Sequence, residues 1–313
     1  MILLLLVSAA FLFSARTGLL TPDEAEMRAR YSLPGSRFLD LDGQTIHLAD
    51  QGSGIPVILI HGSYGSLLNW NDWAQDLAAD YRVIRFDLPR AGLSGPSPDG
   101  RYGPDANMRI INALSRELQL EQFFLVATSS SGESAAAYAA DYPQKIKGLI
   151  LSNIAVGPFP MDRSHWSPLF KLLIRIDPLF KGWHPRLFWR EVMRNNFADP
   201  SRLTATQVAE WTDLNNRAQR MPPLVFSADD PRPFVRTPAD LARIQVPTLL
   251  LWSENDAELP VETVGEAALE FLAAEDKQLQ VVADCGHMMM LECGVESAQV
   301  ARSFFSRLVT PGR

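Results

Sequence analysis

The sequence predicts an α/β protein with a doubly wound, mostly parallel sheet of the eight-stranded type, interrupted by a helical insertion. Short apolar, β-branched runs alternate with stretches whose apolar residues recur at helical spacing. That alternation is typical of strand–helix–strand units, which form parallel sheets. It is lost between residues 156 and 240 and then resumes. An insertion into a single core accounts for this interruption.

Composition sets the outer limits of function. The chain has 313 residues, 47% of them hydrophobic and 21% charged, which is enough for one large domain with an inserted subdomain. A net charge of −7 and the lack of a long basic run give no reason to expect nucleic acid as a partner. No zinc-ligand spacing is present. Cys285 and Cys293 are too few for a disulfide framework, and we expect both to be reduced and buried.

The first residues differ from all that follow. Ile2 to Phe13 is apolar except for Ser8, and the first charge is Arg16. This run is shorter than the roughly 20 residues of a spanning helix, and it fits a signal-peptide cleavage pattern poorly. We expect residues 1–20 to be a hydrophobic anchor or signal segment. The protein would then be membrane-associated or exported, and the side of the membrane stays open.

The elements before the insertion can be taken in chain order. Asp42-Gly43 lies between two alternating runs and predicts a hairpin. Continuous apolar runs farther on predict strands buried on both faces of the sheet. The predicted strands are Arg37–Leu41, Thr45–Ala49, Pro56–Ile60, Tyr81–Phe86, the run that begins at Phe123, and Lys147–Ser152; the predicted helices are Pro22–Arg30, Leu67–Ala79, Pro104–Leu118 and Glu133–Tyr142.

The insertion, residues 156–240, is rich in proline and large aromatic residues and nearly lacks strand-like runs. We interpret it as a mostly helical lid on a core formed by residues 21–155 and 241–313. Most of its aromatic residues should pack the lid's own interior, and a minority should face an apolar pocket. The core then continues through predicted strands Val246–Trp252 and Gln278–Val282 and predicted helices Val261–Leu272 and Val300–Leu308.

A nucleophile is predicted where the strand that begins at Phe123 turns directly into a helix. A serine on such a turn needs small residues two positions before and two after it, because strand and helix backbones nearly touch there. Ser129 meets this condition with Ala127 and Ser131. Ser130 has the branched Thr128 two positions before it, so Ser129 is the preferred nucleophile. The alternative is a serine-rich cap on an ordinary helix.

An activated serine needs a base and an acid that orients the base. Asp256 and His287 each follow a predicted strand, in the order acid then histidine that this architecture requires. The carboxyl ends of parallel strands share one edge, so all three groups should meet there. Glu254 and Asp284 are the rival acids. Asp284 is too close to His287 in the chain, and Glu254 too close to the strand.

Acyl transfer also requires N–H donors for the developing oxyanion. We expect the backbone N–H groups of Ser130, which follows the nucleophile, and of Ser63, in the loop after Pro56–Ile60. His61 should be a structural hydrogen-bonding residue rather than a base. The remaining histidines have no partner that the sequence identifies and are predicted to be non-catalytic: His47, His165 and His184.

Together these motifs resemble the α/β-hydrolase fold superfamily, in the serine-nucleophile branch with an inserted helical lid. The resemblance runs from about Arg37 to Leu308 and omits much of the lid. Because the nucleophile is serine and not aspartate, the resemblance argues against the epoxide hydrolases and haloalkane dehalogenases, which share the inserted lid. The motifs are His61-Gly62, Asp87-Leu88-Pro89 through Gly92-Leu93-Ser94-Gly95, the elbow at Ser129, Asp256, and Gly286-His287; Ala127 and Ser131 replace the usual elbow glycines.

The resemblance implies a carboxylesterase-like serine hydrolase for a small, largely apolar ester or related acyl compound, with no metal or organic cofactor. Ser129 would attack, His287 would act as base and then acid, and Asp256 would orient His287. One alternative is hydrolysis of a carbon–carbon bond in a diketone by the same triad. The other is a binding protein that keeps the fold without turnover, because a fold alone does not fix function.

Overall fold

The computed structural model describes residues 10–15, 17–157, 164–179, 183–218 and 234–309. It contains eight strands, of which the central ones are apolar runs, and this confirms the predicted fold class. The strands are β1 Arg37–Leu41, β2 Gln44–Gln51, β3 Ile55–Ile60, β4 Tyr81–Phe86, β5 Phe123–Thr128, β6 Ile146–Ser152, β7 Thr248–Ser253 and β8 Lys277–Val282.

All eight strands form one sheet in the order β1-β2-β4-β3-β5-β6-β7-β8. The strands from β3 to β8 are parallel, and β2 joins them antiparallel along β4. The β1–β2 hairpin closes at Asp42 and Gly43, both at positive φ as a tight turn requires. Because β5, β7 and β8 run in the same direction, the loops after them open at one edge of the sheet.

Helices cover both faces of the sheet, and apolar clusters fill the space on each side. The strand β5 is buried along its whole length, as expected for a strand covered on both faces. The helices are α1 Glu24–Tyr31, α2 Asn71–Leu77, α3 Pro104–Glu117, α4 Ser131–Asp141, α5 Pro168–Ile176, α6 Arg186–Arg194, α7 Ala205–Ala218, α8 Thr237–Leu241, α9 Glu266–Phe271, α10 Met289–Glu292 and α11 Gly294–Val309.

Helices α5, α6 and α7 lie between β6 and β7 in the chain, and each carries aromatic residues of the insertion. Phe170 of α5, Trp189 of α6 and Trp211 of α7 belong to one apolar cluster, which Met288 of the core also joins. The lid boundaries at 156 and 240 stay predictions. Three of the aromatic residues predicted to belong to the lid lie outside the described residues: Phe159, Phe180 and Phe226.

The expectation for the cysteines is wrong. Cys285 and Cys293 form a disulfide bond, with their Cα atoms 6.1 Å apart, inside the usual range for such a bridge. Both side chains are buried, as predicted. Cys285 lies in the loop after β8, and Cys293 follows α10. The chain turns back along α10, which brings Cys293 next to Cys285. Sequence spacing alone does not show that return.

The N-terminal segment is described only from residue 10. Residues 10–15 are helical, and the ring of Phe11 lies 5.6 Å from that of Trp183 in the lid. Within the described ranges, no helix is both long enough and apolar enough to cross a membrane. Residues 1–9, which hold most of the apolar run from Ile2 to Phe13, lie outside those ranges.

The loop after β4 is organised around the buried carboxylate of Asp87. Its oxygens accept hydrogen bonds from the backbone N–H groups of Leu67 and Leu93, both at 2.7 Å, and from His47 Nδ1 at 2.7 Å. Burial opposes the charge, but His47 and these donors outweigh it and lower the pKa of Asp87. A Cβ on Gly92 would lie 2.1 Å from the same carboxylate, so glycine is required there.

Candidate active site

Ser129 occupies the strained turn that the sequence predicts between β5 and α4. Its φ is +52°, a left-handed conformation that non-glycine residues adopt rarely. The neighbouring backbone is equally tight, since a Cβ on Gly62 would lie 2.8 Å from the Ser129 Cβ. A Cβ on Gly132 would lie 2.2 Å from Ile154. These close approaches explain the small residues, and they leave the Ser129 Oγ facing a cavity.

The three predicted triad side chains form one hydrogen-bonded chain. The Ser129 hydroxyl donates to His287 Nε2 at 3.1 Å, and His287 Nδ1 donates to Asp256 Oδ2 at 2.8 Å. Asp256 and His287 are buried, whereas Ser129 is half-buried at the cavity wall. This geometry lets His287 take the Ser129 proton while Asp256 holds the imidazole in one tautomer.

Asp256 is fixed by the loop after β7. Its Oδ1 accepts the backbone N–H groups of Glu258 at 2.9 Å and Leu259 at 2.8 Å, which leaves Oδ2 for His287. The rival Glu254 is used elsewhere, because its carboxylate accepts the backbone N–H of Asp284 at 3.0 Å. The structure therefore brings Asp256, and not Glu254, to the imidazole.

His287 is held by contacts between its loop and the base of the lid. A Cβ on Gly286 would lie 2.5 Å from the Asn196 carbonyl oxygen, so the lid backbone rests directly on this glycine. The buried carboxylate of Glu292 accepts the N–H groups of Gly286 at 2.8 Å and of Ala198 and Asp199 at 2.9 and 2.6 Å. Lid and histidine loop are thus fixed to each other.

Two carboxylates act on the imidazole. Burial disfavours the imidazolium, but the charges of Asp256 and Glu258 outweigh burial and raise the pKa of His287 to about 9. The Glu258 Oε2 lies 3.8 Å from His287 Nε2, on the nitrogen that also meets Ser129. Sequence analysis missed Glu258. The only signal was the alternation of acids at 254, 256 and 258 in one loop.

The residues predicted for the oxyanion site, Ser63 and Ser130, lie side by side at the cavity wall. The Ser63 hydroxyl donates to the Ser130 hydroxyl at 2.9 Å. Ser130 immediately precedes α4, so the positive end of that helix dipole points into the same space. Among the hydrogen bonds within the described ranges, neither backbone N–H has a protein acceptor. The assignment of both N–H groups to an oxyanion site stays a prediction.

His61 has the structural role that the sequence predicts. Its Nδ1 donates to the Gly62 carbonyl oxygen at 2.8 Å, and its Nε2 accepts the Leu88 N–H at 3.0 Å. Burial lowers the pKa of His61, which keeps this ring neutral. His47 pairs with Asp87, away from the cavity. His184 pairs with Asp177 in the lid and lines the cavity, a placement the sequence did not indicate.

Above Ser129 the lid and the core enclose a cavity of about 470 Å³. Its surface is mainly apolar and aromatic, as predicted. The expectation that only a minority of the lid aromatics face a pocket is wrong, since most of the described ones do so while also packing together. Because the lid helices are short, the same aromatic ring can contact the lid interior and also line the cavity. The rings at the cavity are Tyr64, Trp166, Phe170, His184, Phe188, Trp189, Trp211 and Phe234.

Apart from the His184 and His287 rings, the charged groups at the cavity are acidic. Asp177 and Glu258 contribute carboxylates, and the lining residues within the described ranges include no arginine or lysine. An anionic ligand would meet repulsion here, whereas a neutral apolar one would not.

Comparison with known proteins agrees with this architecture. The chain is 28% identical over 285 residues to a 2-hydroxy-6-oxononadienedioate/2-hydroxy-6-oxononatrienedioate hydrolase of Escherichia coli O139:H28, covering 87% of this chain and 96% of that protein. A bacterial membrane phospholipase A has a TM-score of 0.70 at 24% identity, covering 99% of this chain and 97% of that one. A putative lipase from Acinetobacter baumannii AYE has a TM-score of 0.73 at 21% identity, covering 91% and 95%.

A family model described as the alpha/beta hydrolase fold matches residues 55–292. This span includes the elbow, the acid loop and the histidine loop, and most of the chain. The expectation of a hydrolase is confirmed at this level, although neither the bond cleaved nor the substrate follows from it. The chain belongs to the α/β hydrolase fold family, and it is an enzyme of the hydrolase class.

Proposed function

We propose that the protein is a serine hydrolase that cleaves an ester or related acyl bond of a neutral, largely apolar small molecule. One observation carries the proposal. The Ser129–His287–Asp256 chain opens into an aromatic cavity whose described lining has two carboxylates and no arginine or lysine. Aromatic and aliphatic surface favours an apolar body by burial, and the acids disfavour an anionic one.

In the proposed reaction, the Ser129 Oγ attacks the acyl carbon as its proton passes to His287 Nε2. The oxyanion is stabilised by the N–H groups of Ser63 and Ser130. The imidazolium then donates its proton to the leaving alkoxide, which departs as the alcohol. Water, deprotonated by His287, attacks the acyl-enzyme and releases the carboxylic acid and free Ser129.

Hydrolysis of a carbon–carbon bond in a diketone is the second candidate, because the Escherichia coli relative is named as a hydrolase of a nonadienedioate. A dioate carries two negative charges at neutral pH. Those charges would lie against Asp177 and Glu258, and the described lining provides no arginine or lysine to offset them. The ester reading therefore accounts better for the cavity.

The test compares p-nitrophenyl esters of graded chain length with a vinylogous diketone that carries carboxylates. We expect kcat/KM for the esters to rise with chain length until the cavity is filled, and only trace cleavage of the diketone. A larger kcat/KM for the diketone would reverse the choice. Labelling of Ser129 by a fluorophosphonate probe, lost in Ser129→Ala, separates either enzyme from a fold kept only for binding.

We also propose that the enzyme is attached to a membrane through residues 2–15 and works on the oxidising, extracytoplasmic side. The apolar run from Ile2 to Phe13 supports attachment. The Cys285–Cys293 disulfide supports the compartment, since structural disulfides persist mainly outside the cytosol. Fractionation of cells expressing the full chain, or a chain that starts at Thr21, tests attachment. Recovery of the full chain in the soluble fraction with Met1 present would contradict it.

A further inference from the structure

The loop after β7 supplies two carboxylates to the site, although a triad needs only one. Asp256 contacts the Nδ1 side of His287 at 2.8 Å. The Oε2 of Glu258 lies 3.8 Å from Nε2, the nitrogen that receives the proton of Ser129. The Glu258 side chain is 30% exposed and lines the cavity, so it faces the space where substrate and leaving group would lie.

At this position, the interaction between the Glu258 carboxylate and His287 depends on whether the imidazole is protonated. When His287 is neutral, Nε2 presents a lone pair, and a carboxylate at this distance gains nothing from it. When His287 is an imidazolium, Nε2 carries a proton, and the carboxylate attracts it. An opposite charge within about 4–6 Å commonly shifts a pKa by about 1–3 units. The half-buried setting strengthens the effect, because little water screens the pair.

Other ionisable groups around His287 are engaged elsewhere. Glu254 holds the Asp284 backbone, and Glu292 holds the Gly286 N–H and the lid turn. Arg202 donates to the Asp284 carbonyl oxygen. At the cavity, His184 pairs with Asp177. Of all these groups, Asp256 and Glu258 are the ones that raise the pKa of His287.

We propose that Glu258 is a positioning residue that stabilises the imidazolium of His287 from the Ser129 side and thereby sets the pH range of the enzyme. This inference rests on the proposed serine-hydrolase function. Its consequence is a trade-off. Glu258 favours proton transfer from Ser129 during attack, yet below the pKa of His287 it also keeps the resting imidazole protonated and therefore unable to act as a base.

The direct test is an NMR titration of the His287 ring in wild type, Glu258→Gln and Glu258→Asp, with Glu254→Gln as a matched loss of one carboxylate from the same loop. We expect the midpoint to fall by about one pH unit in Glu258→Gln. It should fall less in Glu258→Asp, which keeps the charge, and should not change in Glu254→Gln. The His287 resonance is assigned by its loss in His287→Gln.

A second readout follows the rate of fluorophosphonate labelling of Ser129 against pH. With a midpoint one unit lower, about ten times more His287 is neutral at pH 7. Because the neutral ring is then also a weaker base, we expect Glu258→Gln to label Ser129 faster than wild type by up to about tenfold. Equal titration midpoints in wild type and Glu258→Gln would overturn the inference, as would an equal shift in Glu254→Gln. Failure of the serine-hydrolase function would appear differently, as absent labelling in wild type, and the NMR titration would still decide the role of Glu258.

Discussion

Two histidine–aspartate pairs in this molecule have nearly the same geometry and opposite roles. His47 and Asp87 meet at 2.7 Å, and His287 and Asp256 meet at 2.8 Å. All four side chains are buried. Distance and burial therefore do not distinguish a catalytic pair from a structural one.

The difference lies at the far nitrogen of each ring. The Nε2 of His47 lies 2.9 Å from the hydroxyl of Ser36, away from the cavity. The Nε2 of His287 faces Ser129, which lies on a strained turn at the cavity wall. A histidine–aspartate pair becomes a base only where its second nitrogen meets a nucleophile and space for a substrate. Changing the acid of each pair should therefore remove a different property, turnover in one case and stability in the other.

The largest effect is expected from removing the nucleophile. Ser129→Ala should lower kcat by about 10⁶-fold, the scale found when a triad serine is lost. Its free energy of unfolding should stay near that of wild type, because the Ser129 side chain is only half-buried. Ester turnover and urea unfolding measure the two. Turnover within tenfold of wild type would exclude Ser129 as nucleophile.

Asp256→Asn should lower kcat by about 10⁴-fold with the fold retained, because an amide holds the wrong imidazole tautomer. The matched change is Glu254→Gln, whose carboxylate bonds a backbone N–H and not the ring. That variant should keep kcat close to wild type. The reverse pattern, a severe defect in Glu254→Gln alone, would transfer the role of acid to Glu254.

Asp87→Asn should behave in the opposite way. The change leaves His47 without its charged partner and weakens acceptors for two backbone N–H groups. We expect the free energy of unfolding to fall by about 3 kcal/mol, the scale for breaking a buried pair. The kcat of the folded fraction should stay close to wild type. A loss of kcat as large as that of Asp256→Asn, at unchanged stability, would show that the two pairs do not differ as proposed.

Opening the Cys285–Cys293 bridge, in a double change to serine, should lower the free energy of unfolding by ~2 kcal/mol, because a short closed loop restricts the unfolded chain. The bridge spans His287, so kcat tests whether it also holds the base. A fall in stability with unchanged kcat would assign that task to the Glu292 contacts with the lid. Unchanged stability would contradict the expected contribution of the bridge.

The two pairs should also respond to opposite ends of the pH scale. The pKa of His287 is raised from 6.5 to about 9, so its stabilisation is complete below pH 6.5 and is lost as pH rises toward 9. The pKa of Asp87 is lowered from 3.8, so its stabilisation is present above pH 3.8 and is lost on further acidification. Urea unfolding between pH 6.5 and 9 should show a decline in wild type that is weaker in Asp256→Asn.

Much of the core could be predicted from local patterns. The apolar run of β5 predicts the strand, and the small residues at its end predict the turn at Ser129. Asp256 and His287 were predictable because parallel strands deliver their following loops to one edge. In each case, the signal lies in adjacent residues or in strand order.

The errors concern side-chain direction within irregular segments. Glu258 points at His287 because the backbone N–H groups of Glu258 and Leu259 bond Asp256 and fix the loop. Residue spacing in the sequence does not reveal this conformation. Cys285 and Cys293 meet because α10 turns back on its own loop. The lid aromatics face the cavity because short helices pack across it. These features depend on tertiary packing rather than on periodicity.

The strand order has a consequence for synthesis. From β5 onward the sheet grows outward one strand at a time, in the order in which the ribosome makes them. The growing chain therefore acquires its nucleophile first, its acid next and its base last, with His287 following the outermost strand. A serine without a base is a weak nucleophile. The nascent enzyme therefore lacks an activated nucleophile until almost the whole chain has been translated.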